Sequence, residues 1–300
     1  CVPVPRFCRS GSAQGVGRAE REGGTVIPYH GTPIGAIERN ADVIRGRNLV
    51  LTWTSYASIV KKIRTGTPTP AAYQLGNLAG RLLLDCGAFP FWRAQQRGRN
   101  PQPLDVPVVI EWYRNMLSTC AQTEVIIPDV ITGTEIENDY AIDRFPSDLI
   151  PLAWPVWHTE DSMERLLRLA RGFGRVAIGP MGMHSHVTGK AYTLRMIEVF
   201  NAITRDAPGT RLHALRGLQL AGGPFPFAQG DSTDAGRNWS QTPHRLEACL
   251  DRWDRRARAT ATTWGLRTTT EAIYQRVRQT SIFDLPEVHR WSSDTLRAPA

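Results

Sequence analysis

Between residues 25 and 231 the chain alternates short apolar runs with segments of helical spacing, and nothing else in it restricts the fold as much. The runs are Thr25–His30, Asn48–Trp53, Arg81–Asp85, Glu124–Asp129, Leu152–His158, Arg175–Gly179, Arg211–Arg216 and Phe225–Asp231. Most are rich in Val, Ile, Leu or aromatic residues, which suit buried strands. Between them, Ile34–Arg45, Tyr56–Arg64, Val106–Cys120, Glu135–Arg144, Asp161–Arg171 and Ala191–Thr204 have helical spacing. Thr159-Glu160-Asp161 ahead of Met163 reads as a helix start, since acidic residues are favoured in the first turn. Such alternation predicts βα units and a parallel sheet. Eight strands predict an α/β fold of the (β/α)8, TIM-like barrel type rather than an open doubly wound sheet. No Gly-x-Gly-x-x-Gly turn follows the first strand, which argues against a dinucleotide-binding domain. The last link, around Leu218–Gly223, is too short for a full helix.

The flanks differ in composition from this stretch. Residues 1–24 hold Pro, Gly, Ser and four arginines without an apolar stretch, and read as a flexible arm rather than a signal peptide. The barrel is expected over 25–240. Residues 241–300 are expected to form a basic helical C-terminal extension packed on it, with Arg245, Leu246, Cys249, Leu250 and Trp253 on one stripe. Arg252, Arg255, Arg256 and Arg258 lie mostly off that stripe, as a solvated face or as phosphate contacts. No run approaches the roughly 20 apolar residues that span a bilayer, so no membrane segment is expected. Five scattered cysteines without a Cys-x-x-Cys pair indicate neither a disulfide framework nor a zinc knuckle and fit a reducing cytoplasm. Net charge is +8, and only Lys61, Lys62 and Lys190 of the 36 basic residues are lysines. Arginine is the better bidentate phosphate ligand, so the bias is compatible with a nucleic-acid substrate; a GC-rich coding sequence accounts for it equally well.

In a closed barrel the C-terminal strand tips converge on one cavity, where this fold carries its chemistry. Those tips are His30, Asp85, Asp129, His158, Gly179, Arg216 and Asp231. Two chemistries suit the set. Metal-assisted hydrolysis uses His and Asp as ligands and generates hydroxide. Neither His-Glu-x-x-His nor a strand-end His-x-His is present, although His184-x-His186 occurs in a loop. Glycosyl transfer uses two carboxylates, one to capture the cationic sugar and one to move the proton of the base.

Several segments, in order, resemble a known family. Asp85-Cys86-Gly87-Ala88-Phe89 is similar to the Asp-Ser-Gly-Gly-aromatic motif of the tRNA-guanine transglycosylases. Tyr29-His30-Gly31-Thr32-Pro33-Ile34, Ile127-Pro128-Asp129-Val130-Ile131 with Gly133-Thr134-Glu135, Pro155-Val156-Trp157-His158, Val176-Ala177-Ile178-Gly179, and Asp231-Ser232-Thr233 with Arg237-Asn238 resemble their phage and bacterial DNA-guanine paralogues. The resemblance spans roughly residues 25–240. It implies a (β/α)8 barrel that exchanges guanine in DNA for a free 7-deazaguanine base, in its cyano or aminomethyl form, through a covalent aspartyl–sugar intermediate. It further implies a bacterial or phage setting and no metal or organic cofactor.

By that resemblance Asp231 is the nucleophile and Asp85 the general acid/base. Phe89 stacks on the purine, Asp129 reads its Watson–Crick edge, and Gly179 contacts the base through its backbone. His158 takes a tip where the tRNA enzymes carry glutamine; His30, Arg237 and Asn238 are substrate contacts. The Cys-x-Cys-x-x-Cys zinc motif of the tRNA branch is absent, since only Cys249 follows Asp231, which favours DNA over tRNA. Asp234 competes with Asp231 as nucleophile, and oligomeric state is left open. Each residue also has a plainer reading. Asp85 and Asp129 can cap helices or turns, Asp231 can cap a turn with Ser232 and Thr233, and Phe89 can be core. Cys86 beside a carboxylate is a poor nucleophile. Alternatives to base exchange in DNA are a tRNA-type RNA modification, a metal-dependent barrel hydrolase, or a DNA-binding barrel without activity.

Overall fold

A strand buried on both faces must find partners on both edges, and here the apolar runs do so by closing on one another. The structure, a computed structural model, describes residues 25–33, 37–54, 66–100 and 103–258. Its strands are β1 (Ile27–Gly31), β2 (Asn48–Thr52), β3 (Arg81–Asp85), β4 (Thr123–Ile126), β5 (Ala153–Trp154), β6 (Val156–His158), β7 (Arg175–Gly179), β8 (Arg211–Ala214) and β9 (Gln229–Ser232). All neighbours are parallel, in the order β5-β4-β3-β2-β1-β9-β8-β7-β6.

β5 and β6 are two halves of one stave, broken at Pro155, which has no N–H to give. The first half pairs with β4 and the second with β7. The Trp154 carbonyl accepts from Ile127 N–H at 3.0 Å, and the Pro155 carbonyl accepts from Ala177 N–H at 2.9 Å. This stave joins both ends of the strand order, so the nine segments make the eight-staved (β/α)8 barrel that the alternation predicts.

The helices are α1 (Ala41–Ile44), α2 (Pro70–Leu78), α3 (Ala88–Gln96), α4 (Val106–Met116), α5 (Glu135–Asp143), α6 (Met163–Phe173), α7 (Lys190–Asp206), α8 (Asp234–Asn238) and α9 (Pro243–Arg258). Local chemistry fixes their ends. Thr69, Asp105 and Ser162 accept the N-terminal amides of α2, α4 and α6. Thr134 and Glu137 form a capping box on α5, and Gly174 ends α6 at φ 65°.

Three expectations shift. The helix expected over Ile34–Arg45 is only the turn Ala41–Ile44 among described residues, and α2 and α3 were not anticipated. The strand expected from Phe225 starts at Gln229, because Pro224 and Pro226 cannot donate to a ladder. Phe225 and Phe227 pack instead on Phe200, with ring centroids 5.5 and 5.1 Å away. The helix expected over Tyr56–Arg64, the arm 1–24 and the tail 259–300 lie outside the described residues.

Period-two alternation sorts the interior into layers. Tyr29, Val50, Leu83, Ile126, Trp154, Val156 and Ala177 fill the waist of the barrel. At the N-terminal end Glu124 pairs with Arg175 at 3.2 Å and Arg211 at 3.6 Å, while both guanidinium groups lie over Trp154. Two outer clusters pack strands against helices.

Helix α9 closes the ring from outside, with Leu246, Leu250, Trp253 and Ala257 buried and the Ala257 carbonyl accepting from Val26 N–H at 3.1 Å. Arg245 is exposed, not on the buried stripe where the spacing puts it. Nor is the basic run uniformly solvated: Arg256 donates to the carbonyls of Ala221 and Gln219, while Arg255 and Arg258 stay exposed. Among the described residues no helix is long and apolar enough to cross a membrane.

Candidate active site

The layer above the waist is where the strands end, and alternation turns the tips Thr52, Asp85, His158, Gly179 and Asp231 inward. With Asp129, Phe89 and Arg216 they line one cavity of about 370 Å³, within the size range of small-ligand sites. Of the expected tips, Asp85, Asp129, His158, Gly179, Arg216 and Asp231 are thus brought together, and Phe89, expected from the motif that begins at Asp85, joins them.

Asp85 ends β3 at the turn Cys86-Gly87, where Gly87 takes φ 83°. A Cβ there would lie 2.1 Å from Thr54 Oγ1, so the turn requires glycine. The Gly87 N–H and the Thr52 hydroxyl both bond the Asp85 carboxylate and favour its charge. Burial, and then the negative charges of Asp129 and Asp231, oppose it and prevail: the Asp85 pKa is pushed up from 3.8 to about 7. Cys86 is fully buried, and burial with the charges of Asp85 and Asp129 drives its thiol well above the ordinary range. It is no nucleophile.

Asp129 and His158 form a pair, Oδ2 to Nε2, at 2.9 Å. An ionised carboxylate only accepts, so Nε2 carries the proton. Asp161 supports this pair from behind: it takes the His158 N–H at 2.9 Å and the Arg165 guanidinium at 2.6 Å. Arg165, itself 1% exposed, also bonds the Val156 carbonyl at 2.9 Å and Asp139 at 2.9 Å. The site thereby rests on a fixed ion network. A Cβ on Gly179 would sit 2.8 Å from His158 Cδ2, so glycine lets the ring lie flat on β7.

Asp231 is 8% exposed. Its Oδ1 accepts from the Arg216 N–H at 2.7 Å and faces His213 Nε2 at 3.1 Å. Among the described residues no donor takes Oδ2. Arg216 holds the left-handed conformation at φ 54°, a strain found where a site over-determines the backbone. Its side chain bonds the Pro180 carbonyl at 3.1 Å and lies 3.7 Å from the centroid of the Phe89 ring. Phe89 is therefore a platform already stacked on a planar cation, rather than a core aromatic.

Four expected residues stand outside this cavity. His30 points outward from β1, because Tyr29 and Gly31 take the inward register; it is 1% exposed and pairs with Asp254 of α9 at 2.8 Å. Arg47 binds the same Asp254 and, at 2.7 Å, Asp251, so His30 belongs to the clamp that seats α9 and not to the cavity. Asn238 is turned back onto the Asp234 carbonyl at 2.8 Å. Asp234 is held by Trp253 Nε1 at 3.0 Å and Arg237 at 3.5 Å, outside the cavity that contains Asp231. Arg237 itself lines a wider basin at the mouth, of about 820 Å³, together with Arg93, Arg97, Arg99, Arg216 and His186. Set against the single carboxylate of Asp234, the five arginines make the basin strongly positive.

His213 is the participant that the strand-tip argument passes over, since it lies mid-strand. Its signal was the alternation Arg211, His213, Leu215, which puts a polar ring on an inward face. Among the described residues no group of three or more His, Cys, Asp or Glu side chains is arranged to hold a metal ion.

The fold and this site define a (β/α)8 barrel with three carboxylates, one of them protonatable near neutrality, around an aromatic platform beneath a cationic mouth. Such an arrangement can stabilise a developing cation, capture it covalently, and move one proton. No family model, no curated protein and no solved structure matches the chain.

Proposed function

We propose that this protein is a base-exchange glycosyltransferase that replaces guanine in DNA with a 7-deazaguanine. The observation that carries this reading is the pairing of Asp231, with one oxygen held and one open, and Asp85, poised at about 7, on the wall of one cavity. Asp231 Oδ2 attacks C1′ of the target nucleotide as the C1′–N9 electron pair leaves with guanine, which takes its proton from Asp85. The incoming base returns a proton to the Asp85 carboxylate, attacks C1′ and expels the Asp231 carboxylate. Two inversions preserve the β-configuration. A pKa close to the working pH suits a group that acts as acid in one half and base in the other. Phe89 stacks on the base, and Asp129, its charge held by His158, accepts the N–H groups of guanine.

The target must leave the duplex stack or be single-stranded to reach Asp231. The arginines of the mouth hold the flanking phosphates. The order of motifs shared with the DNA-guanine paralogues, and the lack of the zinc motif of the tRNA branch, support DNA over RNA.

The test is exchange of radiolabelled guanine into a guanine-containing DNA oligonucleotide, with a tRNA transcript in parallel and denaturing electrophoresis for a covalent adduct. The expected result is label in DNA and an adduct that 7-cyano-7-deazaguanine discharges, both lost in Asp231→Ala. Label in the transcript alone moves the substrate to RNA. No label in either, or full exchange by Asp231→Ala, defeats the proposal.

A further inference from the structure

Asp231 has two oxygens, and the surroundings treat them differently. Oδ1 receives two groups from β8 and its turn, the Arg216 N–H at 2.7 Å and His213 Nε2 at 3.1 Å. Oδ2 receives none among the described residues. His213 is completely buried, and its ring is caged by Tyr29 and Trp154 at centroid distances of 6.4 and 5.9 Å. Its register partner on β9 is Gln229, two residues before Asp231, which brings the ring beside that carboxylate. With Asp231 ionised, Nε2 must be the protonated nitrogen, for a carboxylate oxygen cannot donate.

We infer that His213 is a positioning residue which, with the Arg216 amide, fixes Oδ1 and so selects Oδ2 as the attacking oxygen. The inference rests on the base-exchange reading and goes beyond it in saying which half of the reaction His213 serves. When Oδ2 bonds C1′, the C1′–N9 pair departs with guanine and Oδ1 becomes an ester carbonyl. When the incoming base attacks C1′, the C1′–Oδ2 pair returns to the carboxylate, and negative charge reappears on Oδ1. Two donors aimed at Oδ1 stabilise the carboxylate more than the ester. They therefore speed departure of Asp231 in the second half, while in the first half they confer orientation at some cost in nucleophilicity. Without His213 the covalent intermediate forms in a poorer geometry and lingers.

The experiment combines a measurement that needs no activity with one that does. Imidazole ¹⁵N NMR of the full chain reads the tautomer of His213, assigned by its loss in His213→Leu. The expected form is protonated at Nε2; protonation at Nδ1 overturns the inference, because Nε2 then has nothing to donate. In steady-state exchange, His213→Leu is expected to lower kcat by about 100-fold with KM unchanged, the order found for removing one such donor. It is also expected to raise the fraction of enzyme trapped as adduct. His213→Gln, which keeps an N–H donor, is expected to regain most of kcat. A folded His213→Leu with kcat within about twofold of wild type, or a folded His213→Gln as impaired as His213→Leu, overturns the inference. Should the wild type exchange no base at all, the base-exchange reading falls and takes the attacking-oxygen role with it, while the tautomer still decides whether His213 holds Oδ1.

Discussion

Replacing Asp85 by Asn isolates the electrostatic core of the site, because the change removes a proton site and almost no volume. In the folded protein the carboxyl is pushed from 3.8 to about 7, first by burial and then by Asp129 and Asp231. In the unfolded chain it titrates near its ordinary value. Between those values the folded state holds a proton that the unfolded state lacks. The stability this supplies is present in full below pH 3.8, is lost as pH rises, and is gone above about 7. A rise of this size corresponds to something on the order of 4 kcal/mol. Asparagine stays neutral throughout, and its carbonyl can keep the Thr52 and Gly87 donors. Asp85→Asn is therefore expected to match wild type near pH 4 and to exceed it increasingly up to pH 8. At about 2 °C per kcal/mol for a chain of this length, the gain at pH 8 is about 8 °C in Tm. Differential scanning fluorimetry at pH 4.5, 6 and 8 measures it. An advantage independent of pH, or none at pH 8, refutes the reasoning that burial and like charge hold this carboxyl neutral.

Three further outcomes are expected. Gly179→Ala drives a methyl against His158 and should cost about 1–3 kcal/mol by urea unfolding, while breaking the Asp129 pair and weakening base binding. Replacing Arg93, Arg97 and Arg99 by Gln should weaken binding of single-stranded DNA at all sequences, with the salt slope falling by about 0.7 per arginine, by fluorescence anisotropy across a salt series. Arg47→Ala removes the shared partner of Asp251 and Asp254; hydrogen exchange should then accelerate along Pro243–Arg258 before it does in the strands.

Barrel topology was legible in the sequence because short, continuous apolar runs such as Leu82-Leu83-Leu84 and Val125-Ile126-Ile127, separated by segments of helical spacing, suit parallel strands buried on both faces. The alternation of side chains along each strand, read one step further, separates most of the site residues that hold from those that do not. Asp85, His158 and Asp231 share the inward register, and Asp129 reaches the cavity from the loop after β4, whereas His30 is shifted by one and therefore faces α9. Strand tips mark where chemistry gathers, but only the register relative to a neighbour such as Tyr29 says which way a tip side chain turns. Helix α2 was hidden because Gly76 interrupts its pattern; it is glycine there because Thr119 lies where a Cβ would be. Helix α3 begins Ala-Phe-Pro-Phe-Trp, a composition that favours strand or turn, and it forms because Pro90 in its first turn needs no hydrogen bond to donate. The roles of His213 and Arg216 depend on distances across β8 and β9, which no single segment encodes.

The order of the staves also bears on how the molecule is made. β1 is laid between β2, which follows it at once, and β9, which comes some 200 residues later. At about 5–20 residues per second a ribosome needs roughly 10–40 s to deliver Ser232 after Gly31. Throughout that interval one edge of the first strand has no natural neighbour, and Tyr29 has no ring of staves to bury it. A chain that stalls before residue 229 offers that raw edge to any other strand in the cell, so truncated forms of this protein are candidates for chaperone capture or aggregation rather than for partial function.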